Sequence, residues 1–143
     1  MQKLKLSINQ EAMDIMKRDA LEAFPNECCG FFFGKEDEER QVELAIQTKN
    51  SKNGDQRRRF KISPLAYMWA EKYAEEKGLL LLGIYHSHPL HPAIPSEHDR
   101  IQAMPWFSYV ILSTNGVSVE AVNSFQLNEK RVFEQEDLLY TNQ

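Results

Sequence analysis

LLLLGIYHSHP, residues 79–89, is an apolar run that ends in two histidines and a proline. Gly78 and Pro89 bound it, and it reads as a buried strand. That assignment governs what the histidines can do. On a helix, residues two apart point roughly 200° from one another. On a strand they share a face, with backbones about 6.5–7 Å apart, so His86 and His88 can both reach one ion at about 2.0–2.1 Å. Ser87 then faces the opposite side with Tyr85, and Pro89, which has no N–H, ends the ladder at the site. Helical and extended patterns alternate along the chain, giving an α/β (α+β) class with a mixed sheet.

Upstream of this run, Ser63 caps a helix with Pro64 at its first position, and Gly78 closes it. Leu65, Met68, Trp69 and Tyr73 follow helical spacing and form its expected sheet-facing stripe. Residues 60–62 are expected to add one more strand turn, and residues 49–58 to form a polar loop. The segments 27–34 and 42–46 read as strands joined by a charged turn at 35–40. Asn9 caps a first helix whose stripe holds Ala12, Met13, Met16, Ala20 and Ala23, and Pro25 stops it. Residues 4–8 alternate and are expected to form a short edge strand. Downstream, Ser96 begins a short helix reaching about Met104. Strands at 107–112 and 117–122 meet through Asn115-Gly116, and residues 130–134 supply a last strand. One domain, residues 1–143, holds all of these elements.

Two imidazoles leave a metal short of donors. Asp99 is the candidate third ligand, because Ser96-Glu97-His98-Asp99 opens a helix and sets Asp99 in its first turn. The same four residues fit a capping box, in which Asp99 would serve only the backbone. Two histidines and a carboxylate leave zinc a fourth position for water, as in catalytic and not structural sites. Such a site needs a base that is not itself a ligand. Glu27, an acid at the head of an otherwise apolar strand, is the candidate; an exposed residue at a strand start is the alternative. His91 reads as a loop histidine and His98 as a surface or supporting one, so neither enters the ligand set.

Of the 143 residues, 42% are hydrophobic and 27% charged, which describes a folded globular chain and not a disordered one. A net charge of -4 gives no general attraction to nucleic acid or anionic membranes. Arg57-Arg58-Arg59 and the acidic run at 36–39 read as solvated loop charges. The N-terminus lacks a sustained apolar segment, and the longest apolar run is too short to span a bilayer. Cys28 and Cys29 are adjacent, a spacing that suits neither a disulfide framework nor a zinc knuckle. The expected compartment is a reducing cytoplasm.

Taken together, Pro25-Asn26-Glu27-Cys28-Cys29-Gly30-Phe31-Phe32-Phe33-Gly34, His86-Ser87-His88-Pro89 and Ser96-Glu97-His98-Asp99 resemble the JAMM (MPN-plus) zinc metalloproteases of small prokaryotic type. The likeness covers most of the chain. It implies a mixed, curved β-sheet flanked by helices, related to the cytidine-deaminase fold. It further implies His86, His88 and Asp99 as zinc ligands, Glu27 as the catalytic acid/base, and Ser96 as support for the oxyanion or the water. The activity implied is zinc-dependent amide or isopeptide hydrolysis. The substrate implied is a ubiquitin-like sulfur-carrier protein, or its adduct, cut after the C-terminal Gly-Gly. The long insertions with which eukaryotic deubiquitinases grip two ubiquitins are missing. The rivals are a non-catalytic MPN-type scaffold and a cysteine hydrolase using Cys28 or Cys29. A zinc deaminase is disfavoured, since its His-x-Glu and Pro-Cys-x-x-Cys signature is not present.

Overall fold

In chain order the computed structural model, which describes residues 4–141, runs β1 (Lys5–Asn9), α1 (Gln10–Ala23), β2 (Cys29–Glu36), β3 (Arg40–Thr48), α2 (Pro64–Lys77), β4 (Leu80–Pro89), α3 (Glu97–Gln102), β5 (Ser108–Thr114), β6 (Val119–Leu127) and β7 (Phe133–Thr141). The strands are joined in the order β1-β3-β2-β4-β5-β6-β7, and β7 returns to pair with β1. β4 is parallel to β5 and antiparallel to β2, while β1 is parallel to both β3 and β7, so the sheet is mixed. Its curvature goes as far as closure.

Closure corrects the expectation of an edge strand at residues 4–8. β1 is bonded on both sides, and Leu6, Ser7 and Ile8 are all buried. A polar chain inside the sheet ties the closing strands together. Arg40, read from sequence as part of a charged turn, is buried and donates from Nη1 to Ser108 Oγ at 2.8 Å. The Ser108 hydroxyl donates to Glu136 Oε2 at 3.0 Å, and Ser124 donates to Glu136 Oε1 at 2.6 Å. These bonds link β3, β5, β6 and β7, and a buried carboxylate with several donors is satisfied and not merely tolerated.

β4 is covered on both faces, which explains its unbroken apolar run. Leu82 is an extra residue in it: Phe32 lies opposite Gly83, whereas Phe33 lies opposite Leu81. This bulge reverses the side-chain alternation. Leu82 and Tyr85 therefore join the core against α1, and Leu81 and Ile84 join the core against α2. The reversal leaves His86 and His88 on the α2 side. Gly83 sits where β4 passes closest to β5, and a Cβ built there would lie 1.8 Å from the Ser108 carbonyl oxygen. Gly83→Ala is thus expected to cost about 3 kcal/mol, read as a lower urea midpoint at an unchanged m-value. A midpoint equal to wild type would contradict the close approach.

α1 starts at its Asn9 cap, whose Oδ1 accepts from Ala12 N–H at 2.9 Å, and buries Ala12, Met13, Met16 and Ala20 as expected. It also buries Asp19, which accepts a hydrogen bond from the Tyr85 hydroxyl. α2 has the expected ends, with Ser63 as N-cap and Gly78 in the left-handed region at φ 67°. Its buried face differs. Leu65, Met68 and Trp69 are exposed, while Ala66, Tyr67, Ala70, Tyr73 and Ala74 lie against the sheet. Leu65, Met68 and Trp69 share their side with Glu71, Lys72, Glu75 and Glu76, whereas the opposite side carries no charge before Lys77. There the alanines permit close approach, and Tyr67 and Tyr73, the latter as expected, meet the Phe31 and Phe33 rings at 5.6 and 5.2 Å. Residues 60–62 form no strand; Phe60 and Ile62 are buried and the Lys61 carbonyl accepts from Ser51 N–H at 2.8 Å. α3 ends two residues earlier than expected, before Pro105 excludes a helical conformation at Met104. The last strand is longer and lies further on, at Phe133–Thr141, than the sequence suggests.

Candidate active site

β2 and β4 run side by side with Cys29 opposite His86, which sets Glu27 just beyond the paired region and beside the histidines. Ser87 fastens that junction from the opposite face. Its Oγ accepts from Cys28 N–H at 2.8 Å, and its own N–H donates to the Cys28 carbonyl at 3.2 Å. The loop at 49–61 holds Glu27 from the other side. Glu27 N–H donates to the Gln56 carbonyl at 2.7 Å, and Asn50 Nδ2 donates to the Glu27 carbonyl at 3.2 Å. Glu27 is consequently 2% exposed and not a solvated strand end.

His86, His88 and Asp99 converge. His86 Nε2 and His88 Nε2 are 3.2 Å apart, and Asp99 Oδ2 lies 3.2 and 3.1 Å from them. Three donors on a tetrahedral ion bound at 2.0–2.2 Å stand about 3.3 Å from one another, so the trio has the edge lengths of one face of such a site. His88 Nδ1 lies 2.8 Å from the Pro92 carbonyl, which can only accept, so Nδ1 carries a hydrogen and Nε2 is the nitrogen turned toward Asp99 and the cluster. Phe60 stacks on the His86 ring at 4.4 Å and fixes its plane.

The carboxyls respond in opposite directions. Burial, reinforced by the charges of Asp99 and Asp55, pushes the Glu27 carboxyl up to about 9. Burial would also raise Asp99, but the His86 charge and hydrogen bonds from His86, His88 and the Ser96 N–H outweigh it and hold that carboxyl below the usual range. Burial lowers the His86 imidazole, which favours the neutral form a metal requires.

Ser96 and Asp99 form the capping box that the sequence left as an alternative. Ser96 Oγ accepts from Asp99 N–H at 3.0 Å, and Ser96 N–H donates to Asp99 Oδ2 at 2.9 Å. The same Oδ2 faces both imidazoles, so cap and cluster share one atom. Ser96 itself is exposed, and its hydroxyl proton is not consumed by the cap.

His91 is placed differently from a free loop histidine. Leu90, in the left-handed region at φ 62°, turns the chain sharply after Pro89 and brings the His91 ring to 4.5 Å from that of His88. A non-glycine residue held there carries strain, and such strain gathers at functional sites. His98 is half-buried and outside the trio. Cys28 and Cys29 are buried free thiols; burial pushes Cys28 up to about 12 and raises Cys29 as well, the reverse of an activated nucleophile. Sequence reasoning missed Phe60, Asn50 and Ser87. Asn50, near the head of a polar loop, carried no periodic signal that could have marked it.

The family of prokaryotic homologs of the JAB domain matches residues 9–128. A Thermus thermophilus protein named as a probable TtuB-protein conjugate cleaving protease is 33% identical over 114 residues, 80% of this chain and 74% of that protein. A Pyrococcus furiosus desampylase is 37% identical over 80 residues, 56% of this chain and 54% of its own. Among solved structures, a Desulfitobacterium hafniense protein superposes with a TM-score of 0.84 at 28% identity, covering 96% of this chain and 94% of that one. A JAB1/MPN domain protein from Archaeoglobus fulgidus shares the fold with a TM-score of 0.59 at 17% identity, covering 95% of this chain and 99% of that one.

Proposed function

The chain belongs to the prokaryotic homologs of the JAB domain, the small JAMM/MPN type, and we propose that it is a zinc-dependent hydrolase that cuts the amide or isopeptide bond after the C-terminal Gly-Gly of a ubiquitin-like sulfur-carrier protein or its adduct. One observation carries the proposal: a buried, protonatable Glu27 stands beside a trio of convergent donors, His86, His88 and Asp99, without being one of them. The names of two relatives, a conjugate-cleaving protease and a desampylase, support a protein conjugate as the substrate.

His86, His88 and Asp99 would hold the zinc, which when bound supplies a Lewis acid for the scissile carbonyl and lowers the pKa of a water. Glu27 takes the proton of the attacking water and returns it to the leaving amine; its burial favours the protonated state needed for the second transfer. Ser96, whose oxygen is already used as the cap, has its O–H free to donate to the developing oxyanion, worth about 3–4 kcal/mol when aligned. His88 is kept in the required tautomer by the Pro92 carbonyl. An open cleft of about 300 Å³ lined by Pro25, Arg57, Arg58, Pro89, Leu90 and His91 offers an extended C-terminal tail a way in.

The test is cleavage of a sulfur-carrier protein joined through its C-terminus to an amine. Zinc-loaded protein should cleave it, chelation should abolish the activity, returned zinc should restore it, and thiol alkylation should leave it unchanged. Turnover that survives complete zinc removal would sink the metalloenzyme assignment. Sensitivity to alkylation alone would favour the cysteine hydrolase, and inertness toward every conjugate the scaffold.

A further inference from the structure

The donor trio leaves His91 and His98 over, and the fold delivers His91 to Glu27. A carboxylate oxygen of Glu27 and ring nitrogens of His88 and His91 lie within 4.8 Å of one another. Donors that share one tetrahedral ion stand about 3.3 Å apart, so the group must draw together to hold an ion, and His91 is the member placed to move. That side chain is on a loop and half-exposed, at the edge of the open cleft, so it has the room to move and an ion has a path to it. Glu27 Oε1 is buried and has no hydrogen-bond partner.

We propose that Glu27 and His91, beside His88, form a second and weaker cation position next to the first, and that a divalent transition-metal ion there switches the enzyme off by occupying its base. The proposal rests on the zinc-hydrolase assignment above. The order of affinities follows from the donors. His88 stands between the two positions but serves the first, since its Nδ1–H is committed to Pro92 and its Nε2 is turned toward Asp99. A first ion on His86, His88 and Asp99 therefore leaves the second with Glu27 and His91. It also faces the first ion's charge and those of Arg57 and Arg58, which line the same cleft. Mixed imidazole and carboxylate donors select zinc and its neighbours over magnesium or calcium, which take oxygen. With its oxygen on an ion, Glu27 can no longer accept the water's proton, so turnover stops without loss of the first ion.

The experiment is equilibrium dialysis against rising free zinc, with metal counted per chain, on the full-length wild type, His91→Ala and a His98→Ala control, alongside turnover at each zinc level. Wild type and His98→Ala should take a second equivalent at higher free zinc and lose activity as they do. His91→Ala should keep the first equivalent and lose the second, and its half-inhibiting zinc concentration should rise about tenfold or more. A wild type that stops at one equivalent, or a His91→Ala variant that takes the second equally well, overturns the proposal while leaving the hydrolase assignment standing. Absence of even the first equivalent in wild type overturns the assignment, and this proposal with it.

Discussion

Glu27→Gln should lower turnover by about 10²–10⁴-fold while zinc bound per chain stays at the wild-type level. The substitution keeps the side chain's shape and removes only its ability to take a proton. Stability should move the other way. Glu27 is buried, and its carboxyl rises from 4.5 to about 9 in the ion-free protein, through burial first and then the charges of Asp99 and Asp55. A carboxyl whose folded value is raised contributes its stability below the unfolded value and loses it as the pH climbs through the folded one. Between those limits the folded state must either hold a proton or bury a charge. Glutamine does neither. Chelated Glu27→Gln should therefore match wild type near pH 4.5 and pull ahead above it, by up to about 3 kcal/mol at pH 7. Urea titrations of the chelated proteins across that range test the claim. A Gln variant that turns over at the wild-type rate removes Glu27 from the chemistry, and parallel pH profiles would mean that the carboxyl is not held in a buried, raised state.

Some of this was legible before any coordinates, for reasons of periodicity. An apolar run ending in His-x-His-Pro could bring both imidazoles to one side only as a strand, and β4 does so. The helix ends were legible as well, because Asn9, Ser63, Gly78 and Ser96 act through local hydrogen bonds or local backbone freedom. Long-range choices were not. Arg40, Ser108 and Glu136 meet across three strands inside the barrel, and nothing near Arg40 in the chain distinguishes it from the solvated charges before it. The buried face of α2, Tyr73 apart, follows the side free of Glu71, Lys72, Glu75 and Glu76, and the size of Leu65, Met68 and Trp69 is no guide to it. The bulge at Leu82 compensates for a parity error that simple alternation would have made in Leu81 to His88. His91 was read as a bystander because its placement depends on a left-handed leucine that no propensity would forecast.

Asp99→Asn and Asp99→Ala should separate the two roles that this residue's one oxygen combines. Asp99 Oδ2 accepts the Ser96 N–H at 2.9 Å and faces both imidazoles at 3.1–3.2 Å. Asparagine retains an oxygen for the Ser96 N–H but not the charge; alanine retains neither. Both variants should lose zinc affinity by more than about 100-fold, with turnover at limiting zinc falling in step. Only alanine should also uncap α3, at a cost of about 1 kcal/mol. The acid limb gives a second handle. Asp99 is held below its ordinary 3.8 in the folded chain, with the His86 charge and the hydrogen bonds from His86, His88 and Ser96 overcoming the opposing effect of burial. Its contribution is present above that ordinary value and is lost as the pH falls through the lower folded one. In chelated protein, both variants should lack this step while wild type shows it. An asparagine variant that holds zinc as wild type does would remove Asp99 from the ligand set, and equal stability of the two variants would remove it from the cap. A helix of six residues buries little surface of its own, so its place against the sheet is better explained by what its first turn presents. The cap fixes the Asp99 carboxylate in one orientation before any ion arrives, and that preorganisation is why the two roles fall on one atom.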